Sequence, residues 1–321
     1  MRVCAACDFL KFFRRTSVPA SADGLRAGCA EYGGVLPVAG MARLAEAFDG
    51  FILDQWGVLH DGTRSYAGAA ECLARLRSCG KRIVVLSNSG KREDYNLDLM
   101  RRMGFATDLF DRFVSAGEDA RHAIGARTTA FHRALGTRCF AFTRDADRAV
   151  LEGIGLEFVD RVEDAQFLAV LGTDSPRRLV VDYAAELRIG IERRLLMICA
   201  NPDLWRFAPD GMIEAPGVLA RGYEELGGQV FYHGKPHPAI YASCLDALGC
   251  PRERVLALGD SIEHDILGAN RVAVRSALVA GGVHASALAL AWGQLPTAEV
   301  WRGFAADAVA RPDYLLPAFV W

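Results

Sequence analysis

The chain has 321 residues, of which 51% are hydrophobic and 24% are charged, and its formal net charge is -2. This length predicts two domains or one large domain with an insertion, because a domain holds roughly 100–200 residues. The composition excludes a disordered chain, and the small net charge argues against a nucleic-acid partner. No apolar run approaches the ~18 residues needed to cross a membrane, so we expect no membrane partner.

The N-terminal region and the cysteines say little about activity. Residues 1–40 are predicted to form a loosely ordered lead-in, because residues 16–40 are rich in Ser, Ala, Gly and Pro. The nine cysteines are irregularly spaced and odd in number, which predicts reduced thiols in a cytoplasmic protein. Cys4 and Cys7 form a lone CxxC, a weak zinc pattern without a second pair. A transit peptide at the basic N-terminus stays open.

From residue 41 the pattern predicts alternating helices and strands. MARLAEAF (41–48) has helical spacing, and the apolar run that follows ends in Asp54 as a buried strand does. AGAAECLARLRSCG (67–80) predicts a helix and RIVVLSNSG (82–90) a strand buried on both faces. A strand, a helix and a strand in so short a span predict a parallel pair with a right-handed crossover.

The C-terminal part repeats this order. KPHPAIYASCLDALG (235–249) predicts a helix that begins near Pro236, and RVLALGD predicts a strand that ends in Asp260. HDILGAN (264–270) and SALVAGG (276–282) then predict a helix and a strand. We therefore predict an α/β fold with a doubly wound, parallel-sheet, Rossmann-like core. Its two parts are residues 41–135 and 201–321.

The segment between these two parts, residues 136–200, predicts an inserted α/β cap. Its predicted strands are CFAFT, FLAVLG and LLMICA, and its predicted helices are DADRAVLEGIG (145–155) and PRRLVVDYAAELRIGIE (176–192). The polar segments TRDAD and GTDSP are candidate loops for substrate selection.

Polar groups stand at the ends of the predicted core strands, where doubly wound sheets bind ligands. Asp54 and Asp260 suit a hard cation such as Mg²⁺, and the Ser87 hydroxyl with its following N–H groups suits phosphate oxygens. Lys235 adds a positive charge, and Asp54 then acts as a nucleophile that forms an acyl-phosphate. Taken alone, Asp54 and Ser87 are better explained as a cap or a turn former, and Lys235 as a surface lysine. Their joint order indicates phosphoryl transfer.

Four segments resemble the four motifs of the haloacid dehalogenase (HAD) superfamily: ILDQWGVL, VVLSNS, GKPHP and LALGDSIEHDILGA. The resemblance covers about residues 41–290. It implies that Asp54 is the nucleophile and that Ser87 and Lys235 bind phosphate as catalytic groups. It further implies that Mg²⁺ is held by Asp54, Asp260, Asp265 and the backbone carbonyl of Trp56.

ANPD (200–203) and the position of the cap between the second and third motifs resemble the class IIA subgroup, which has a C2-type cap. DxWGVxHDG itself is similar to a class IIA branch described as sugar phosphatases. The resemblance implies a Mg²⁺-dependent hydrolase of a small phosphorylated metabolite, such as a sugar phosphate or a nucleotide-like ester, and makes a homodimer one expectation. The substrate-binding residues it implies are Ser87, Asn88, Ser89, Lys235, Asn201 and Asp203.

Trp56 departs from the pattern, because HAD phosphatases usually have a second Asp there that protonates the leaving group. An indole cannot replace that acid. His60, Asp61 and Asp203 are candidate substitutes, and a non-hydrolytic phosphometabolite-binding protein is the main alternative. Cleavage of another bond is less well supported. Dehalogenases need no metal, and C–P cleavage uses a cap lysine, which residues 136–200 lack.

Overall fold

The computed structural model describes residues 29–208 and 211–321. The predictions for the Cys4–Cys7 pair, the transit peptide and most of the lead-in lie outside the described residues. Within those two ranges, no helix is both long and apolar enough to cross a membrane. The seven described cysteines are all free thiols.

Strands and helices alternate along most of the chain. The strands are β1 (Leu36–Pro37), β2 (Gly50–Asp54), β3 (Arg82–Ser87), β4 (Arg112–Ser115), β5 (Arg138–Phe142), β6 (Glu157–Phe158), β7 (Phe167–Val170), β8 (Leu196–Cys199), β9 (Trp205–Ala208), β10 (Gly211–Glu214), β11 (Gln229–Tyr232), β12 (Val255–Gly259), β13 (Arg275–Val279) and β14 (Tyr314–Leu316). The α-helices with determined limits are α1 (Met41–Ala47), α2 (Ala69–Ser78), α3 (Glu93–Arg102), α4 (Ala116–Ala126), α5 (Ala130–Ala134), α6 (Ala184–Glu192), α7 (Pro216–Glu225), α8 (Pro238–Leu248), α9 (Leu267–Arg271) and α10 (Ala298–Ala305).

The core is a seven-stranded, wholly parallel sheet in the order β1-β14-β13-β12-β2-β3-β4. Every residue of β2 is buried, as expected for a central strand covered on both faces. Phe51 packs with α1 and α2 on one face, whereas Ile52 packs with α8 on the other. The α/β fold and its Rossmann-like sheet are therefore confirmed, and the carboxyl ends of β12, β2 and β3 lie side by side.

The second sheet has five parallel strands in the order β11-β8-β7-β5-β6, and β9 and β10 form a separate two-stranded antiparallel sheet. The predicted cap ends at residue 200, whereas β11 pairs with β8 in this sheet. β11 is a short edge strand whose apolar residues, Val230, Phe231 and Tyr232, are only half-buried, and an apolar run of three residues is too short to predict a strand by itself. We therefore propose that the inserted cap extends from about residue 136 to about 232.

Several predicted local elements differ from the structure. The helix predicted over 145–155 is a single 3₁₀ turn at Ala149–Leu151, because Asp145 and Ala146 have left-handed backbone conformations that no α-helix includes. The second cap helix begins at Ala184, after a 3₁₀ turn. The helix predicted near Pro236 begins at Pro238, where the missing N–H of proline costs nothing in the first turn. In the lead-in, β1 pairs with β14 rather than lying loose.

Candidate functional site

The site lies at the carboxyl ends of the central core strands, and Lys235 is at its centre. Lys235 Nζ lies 2.7 Å from Asp54 Oδ1 and 2.8 Å from Asp265 Oδ1, and all three side chains are nearly inaccessible to solvent. Burial alone would lower the pKa of the Lys235 ammonium, but the charges of Asp265 and Asp54 outweigh that effect and raise it. Lys235 is therefore a permanent positive charge beside Asp54.

The carboxylates of Asp54, Asp260 and Asp265 converge, with one oxygen of each within 4.8 Å of the others. When all three carboxylates are ionised, the one ammonium leaves two negative charges, which one divalent cation balances. Burial, together with the neighbouring carboxylates, raises the pKa of Asp260 to about 7 and that of Asp54 well above its ordinary value. Converging carboxylate oxygens are the ligands that Mg²⁺ prefers, so the donor set fits that ion.

Backbone amides hold the side-chain carboxylates of Asp260 and Asp265 in place. The N–H of Val283 donates to Asp260 Oδ2 at 2.7 Å, and the N–H of Ser261 donates to Asp265 Oδ2 at 3.1 Å. Asp265 lies in a π-helical turn, Ile262–Ile266, that precedes α9. Among the described residues, no backbone N–H donates to the other oxygen of either carboxylate, which leaves that oxygen available to a cation or to Lys235.

Gly57 allows Asp260 to approach the loop after β2. Its φ is +72°, and a Cβ atom there would lie 1.8 Å from Asp260 Oδ2. A side chain at residue 57 would therefore both strain the backbone and displace the carboxylate.

The loop after β3 is joined to the loop that carries Lys235. Ser87 Oγ accepts the N–H of Ser89 at 3.1 Å. The Asn88 carboxamide accepts the Lys235 N–H at 2.6 Å and donates to the Lys235 carbonyl at 3.0 Å and to Asp203 Oδ1 at 2.7 Å. Asn88 therefore fixes the Lys235 loop, and its predicted contact with substrate stays a prediction.

The other predicted substrate-binding groups make local contacts. Asn201 Oδ1 accepts the N–H of Asp203 at 3.1 Å, and Ser89 Oγ accepts the N–H of Lys91 at 3.3 Å. Asp203 belongs to the site through its hydrogen bond from Asn88. The substrate-binding roles of Asn201, Ser89 and Asp203 stay predictions.

The Trp56 side chain is about half exposed, with 49% of its surface accessible to solvent. Its ring lies edge-on to that of His60, with centroids 5.4 Å apart, and it occupies the space that a side chain at residue 62 would need. No hydrogen bond among the described residues uses the Trp56 carbonyl, because the turn is closed through the carbonyls of Gln55 and His60. That carbonyl therefore suits its predicted role as a metal ligand.

The structure disfavours His60 and Asp61 as replacements for the missing acid. His60 is fully buried, and burial lowers its pKa to about 4, so it is neutral near pH 7. Hydrogen bonds from the Thr63 hydroxyl and from the N–H groups of Arg64 and Thr63 hold the pKa of Asp61 well below its ordinary value. Asp61 therefore stays ionised and has no proton to donate. Asp203 Oδ1 already accepts a hydrogen bond from the Asn88 side chain.

Gln55 was missed by the sequence analysis. Its side chain is buried between Ser87 and His60, and its Nε2 donates to Ser87 Oγ at 2.6 Å. Only the unusual position of an amide beside the strand-terminal Asp54 could have pointed to it.

Two models of haloacid dehalogenase-like hydrolases match the chain, one over residues 51–157 and one over residues 232–306. Mouse chronophin is 30% identical over 241 residues, which cover 73% of this chain and 81% of chronophin. D-glycerol 3-phosphate phosphatase of Mycobacterium tuberculosis is 24% identical over 278 residues, covering 86% of this chain and 71% of that one. Among solved structures, a haloacid dehalogenase-like hydrolase of Brucella suis is 29% identical with a TM-score of 0.72. The match covers 88% of this chain and 99% of that one.

Proposed function

The chain belongs to the haloacid dehalogenase superfamily, in its class IIA subgroup, and we propose that Asp54 is the nucleophile of its phosphatase reaction. The enzyme hydrolyses phosphoric monoesters of small metabolites and depends on Mg²⁺. The observation that supports the role of Asp54 is its position at the end of the central strand, in contact with Lys235 and beside Asp260 and Asp265.

Asp54, Asp260, Asp265 and the Trp56 carbonyl would hold Mg²⁺. When bound, Mg²⁺ neutralises the excess negative charge of the site and so admits a phosphate group. Lys235 places a fixed positive charge beside the attacking carboxylate, and Ser87 donates its hydroxyl proton to a phosphate oxygen.

In the first step an Asp54 carboxylate oxygen bonds to phosphorus while the ester oxygen leaves with its electron pair. The ester oxygen takes a proton from water or from another group, since residue 56 has none to give. In the second step water attacks phosphorus, the bond between phosphorus and Asp54 breaks, and inorganic phosphate and the free carboxylate are released.

We propose a sugar phosphate or a nucleotide-like ester as the substrate, selected by the cap. The loops after β5 and β7, TRDAD (143–147) and GTDSP (172–176), lie next to the loop after β3, which begins with Ser87 and which we call the phosphate loop. Asp147 pairs with Lys91, and a Cβ at Gly90 would lie 3.0 Å from the Leu171 carbonyl oxygen. The two cap loops carry charged and hydroxyl groups, which suit a polar leaving group. A cytoplasmic location and a homodimer are also part of this proposal, the former supported by the free thiols.

Substitution of the nucleophile tests the proposal. Asp54→Asn keeps the side-chain shape but removes the nucleophile, so phosphate release with Mg²⁺ and a panel of phosphorylated metabolites should fall by more than about 10³-fold. The wild-type protein should form a hydroxylamine-sensitive acyl-phosphate that Asp54→Asn lacks. Asp98→Asn, a matched change of an exposed acid on α3, should keep full activity. An Asp54→Asn protein that kept its activity would contradict the assignment of Asp54 as the nucleophile. A wild-type protein that binds phosphate compounds but releases none would support the binding-protein alternative.

A further inference from the structure

We propose that Gln55 is a positioning residue that forces the Ser87 hydroxyl to donate its proton to the phosphate group. This inference rests on the proposed role of Ser87 as a phosphate ligand. Gln55, His60 and Ser87 are all buried, with exposed fractions of 1%, 0% and 2%. They form one hydrogen-bonded chain from the loop at residue 62 to the phosphate loop after β3.

The direction of every bond in this chain follows from one backbone amide. The N–H of Gly62 donates to His60 Nδ1 at 3.0 Å. An amide nitrogen can only donate, so Nδ1 carries no proton and the neutral ring has its proton on Nε2. Nε2 therefore donates, and the atom that faces it is Gln55 Oε1 at 3.4 Å.

The orientation of the Gln55 amide is thereby determined. Because Oε1 faces the His60 N–H, Nε2 faces Ser87, and it donates to Ser87 Oγ at 2.6 Å. The reversed amide would place two N–H donors, one from His60 and one from Gln55, against each other. The neighbouring groups thus select this orientation of the Gln55 amide.

Ser87 Oγ accepts a second hydrogen bond, from the N–H of Ser89 at 3.1 Å. A serine hydroxyl has two lone pairs and one proton. Both lone pairs are occupied, so the hydroxyl has only its proton left to offer. Ionised phosphate oxygens only accept hydrogen bonds, so a Ser87 hydroxyl held in this way is prepared for phosphate before the substrate arrives.

A double-mutant cycle with inorganic phosphate as the probe tests this role. Gln55→Leu should weaken the binding of inorganic phosphate in the presence of Mg²⁺ by about 5–20-fold, and Ser87→Ala should weaken it at least as much. Because Gln55 acts through the Ser87 hydroxyl, the double variant should bind phosphate no more weakly than Ser87→Ala alone. Calorimetric titration measures this directly and needs no catalysis.

Gln55→Met serves as a second variant if Gln55→Leu does not fold, since it keeps the length of the side chain without its amide. The same cycle on kcat/KM for p-nitrophenyl phosphate should show the same lack of additivity. Additive losses would overturn the positioning role and leave the phosphatase assignment intact. A wild-type protein that neither binds nor releases phosphate would overturn the assignment itself, and the positioning role with it.

Discussion

Lys235 Nζ lies 2.7 Å from Asp54 Oδ1, and this buried contact is part of a cluster in which three carboxylates share one ammonium. Lys235→Met would leave all three carboxylates without a positive partner. Loss of one member of a buried ionic cluster costs about 3–5 kcal/mol. We expect a loss of that size in urea unfolding with a chelator present, and part of it should return with Mg²⁺, which supplies the missing positive charge.

Lys81→Met is the matched control for this change. Lys81 contacts Asp49 at 3.5 Å, and the Asp49 side chain is about half exposed, so its loss should cost only about 0–1 kcal/mol and should not depend on Mg²⁺. A Lys235→Met protein as stable as the wild type in chelator would show that the carboxylates are neutralised by protonation and not by Lys235.

Gly57 gives a second prediction, about the metal site. Gly57→Ala should weaken Mg²⁺ activation by at least about 10-fold, because the new methyl group would meet Asp260 Oδ2. Gly249→Ala is the matched control, since Gly249 also has a left-handed φ, +61°, but no atom within 4 Å of its Cβ position. Both variants should lose about 1–2 kcal/mol of stability to backbone strain. Equal Mg²⁺ requirements in the two variants would contradict the steric argument.

The sequence predicted the core better than the cap, and particular residues show why. Asp54 and Asp260 end apolar runs, and the parallel sheet brings the ends of such runs together, so their proximity followed from topology alone. The role of Gln55 could not be predicted, because it depends on hydrogen-bond directions set by His60 and Gly62. The spacing of apolar residues along the sequence does not reveal such directions. The cap limit that we propose near residue 232 rests on the pairing of β11 with β8, a contact between distant parts of the chain that the short apolar run of β11 does not reveal.

His132 gives a prediction about pH and stability. Its Nε2 lies 3.2 Å from His233 Nε2, and His233 Nδ1 contacts Asp119 Oδ2 at 2.6 Å. Burial, with the neighbouring charges of His233 and Arg127, lowers the pKa of His132 to about 4, although Asp119 opposes the shift. The unfolded chain, with a pKa near 6.5, then binds the proton more tightly. The free energy of unfolding should therefore fall as the pH drops from 6.5 towards 4.

His132→Gln removes this titration, so its stability should fall less than that of the wild type over the same pH range. Urea unfolding at several pH values between 7 and 4 measures the difference. Thr129→Ala is the control, because it removes the hydroxyl that lies 2.7 Å from His132 Nδ1 but keeps the imidazole. The free energy of unfolding of Thr129→Ala should be lower than that of the wild type at every pH, but it should change with pH in the same way. Parallel curves for His132→Gln and the wild type would contradict the lowered pKa.

Trp56 leads to the last prediction, which concerns the leaving group. An aryl phosphate leaves as a fairly stable anion, whereas an alkyl or sugar phosphate leaves as a strongly basic alkoxide that needs a proton. Trp56 supplies none, and His60 and Asp61 are respectively neutral and ionised near pH 7. Wild-type protein should therefore cleave p-nitrophenyl phosphate much faster than a simple alkyl phosphate, with kcat measured on both.

Trp56→Asp should narrow that gap, and Trp56→Asn is its matched control, with the same shape and no proton to transfer. General acid catalysis contributes roughly 10²–10⁴-fold. The kcat of Trp56→Asp on the alkyl ester should therefore exceed that of Trp56→Asn by up to this factor, whereas the two variants should have similar kcat values on the aryl ester. Because the indole is half exposed, its loss should cost less than the ~3–5 kcal/mol of a buried tryptophan, and both variants should fold. If wild-type protein hydrolyses both esters equally fast with chemistry rate-limiting, a proton donor outside residue 56 serves the reaction, and Asp203 is the next residue to substitute.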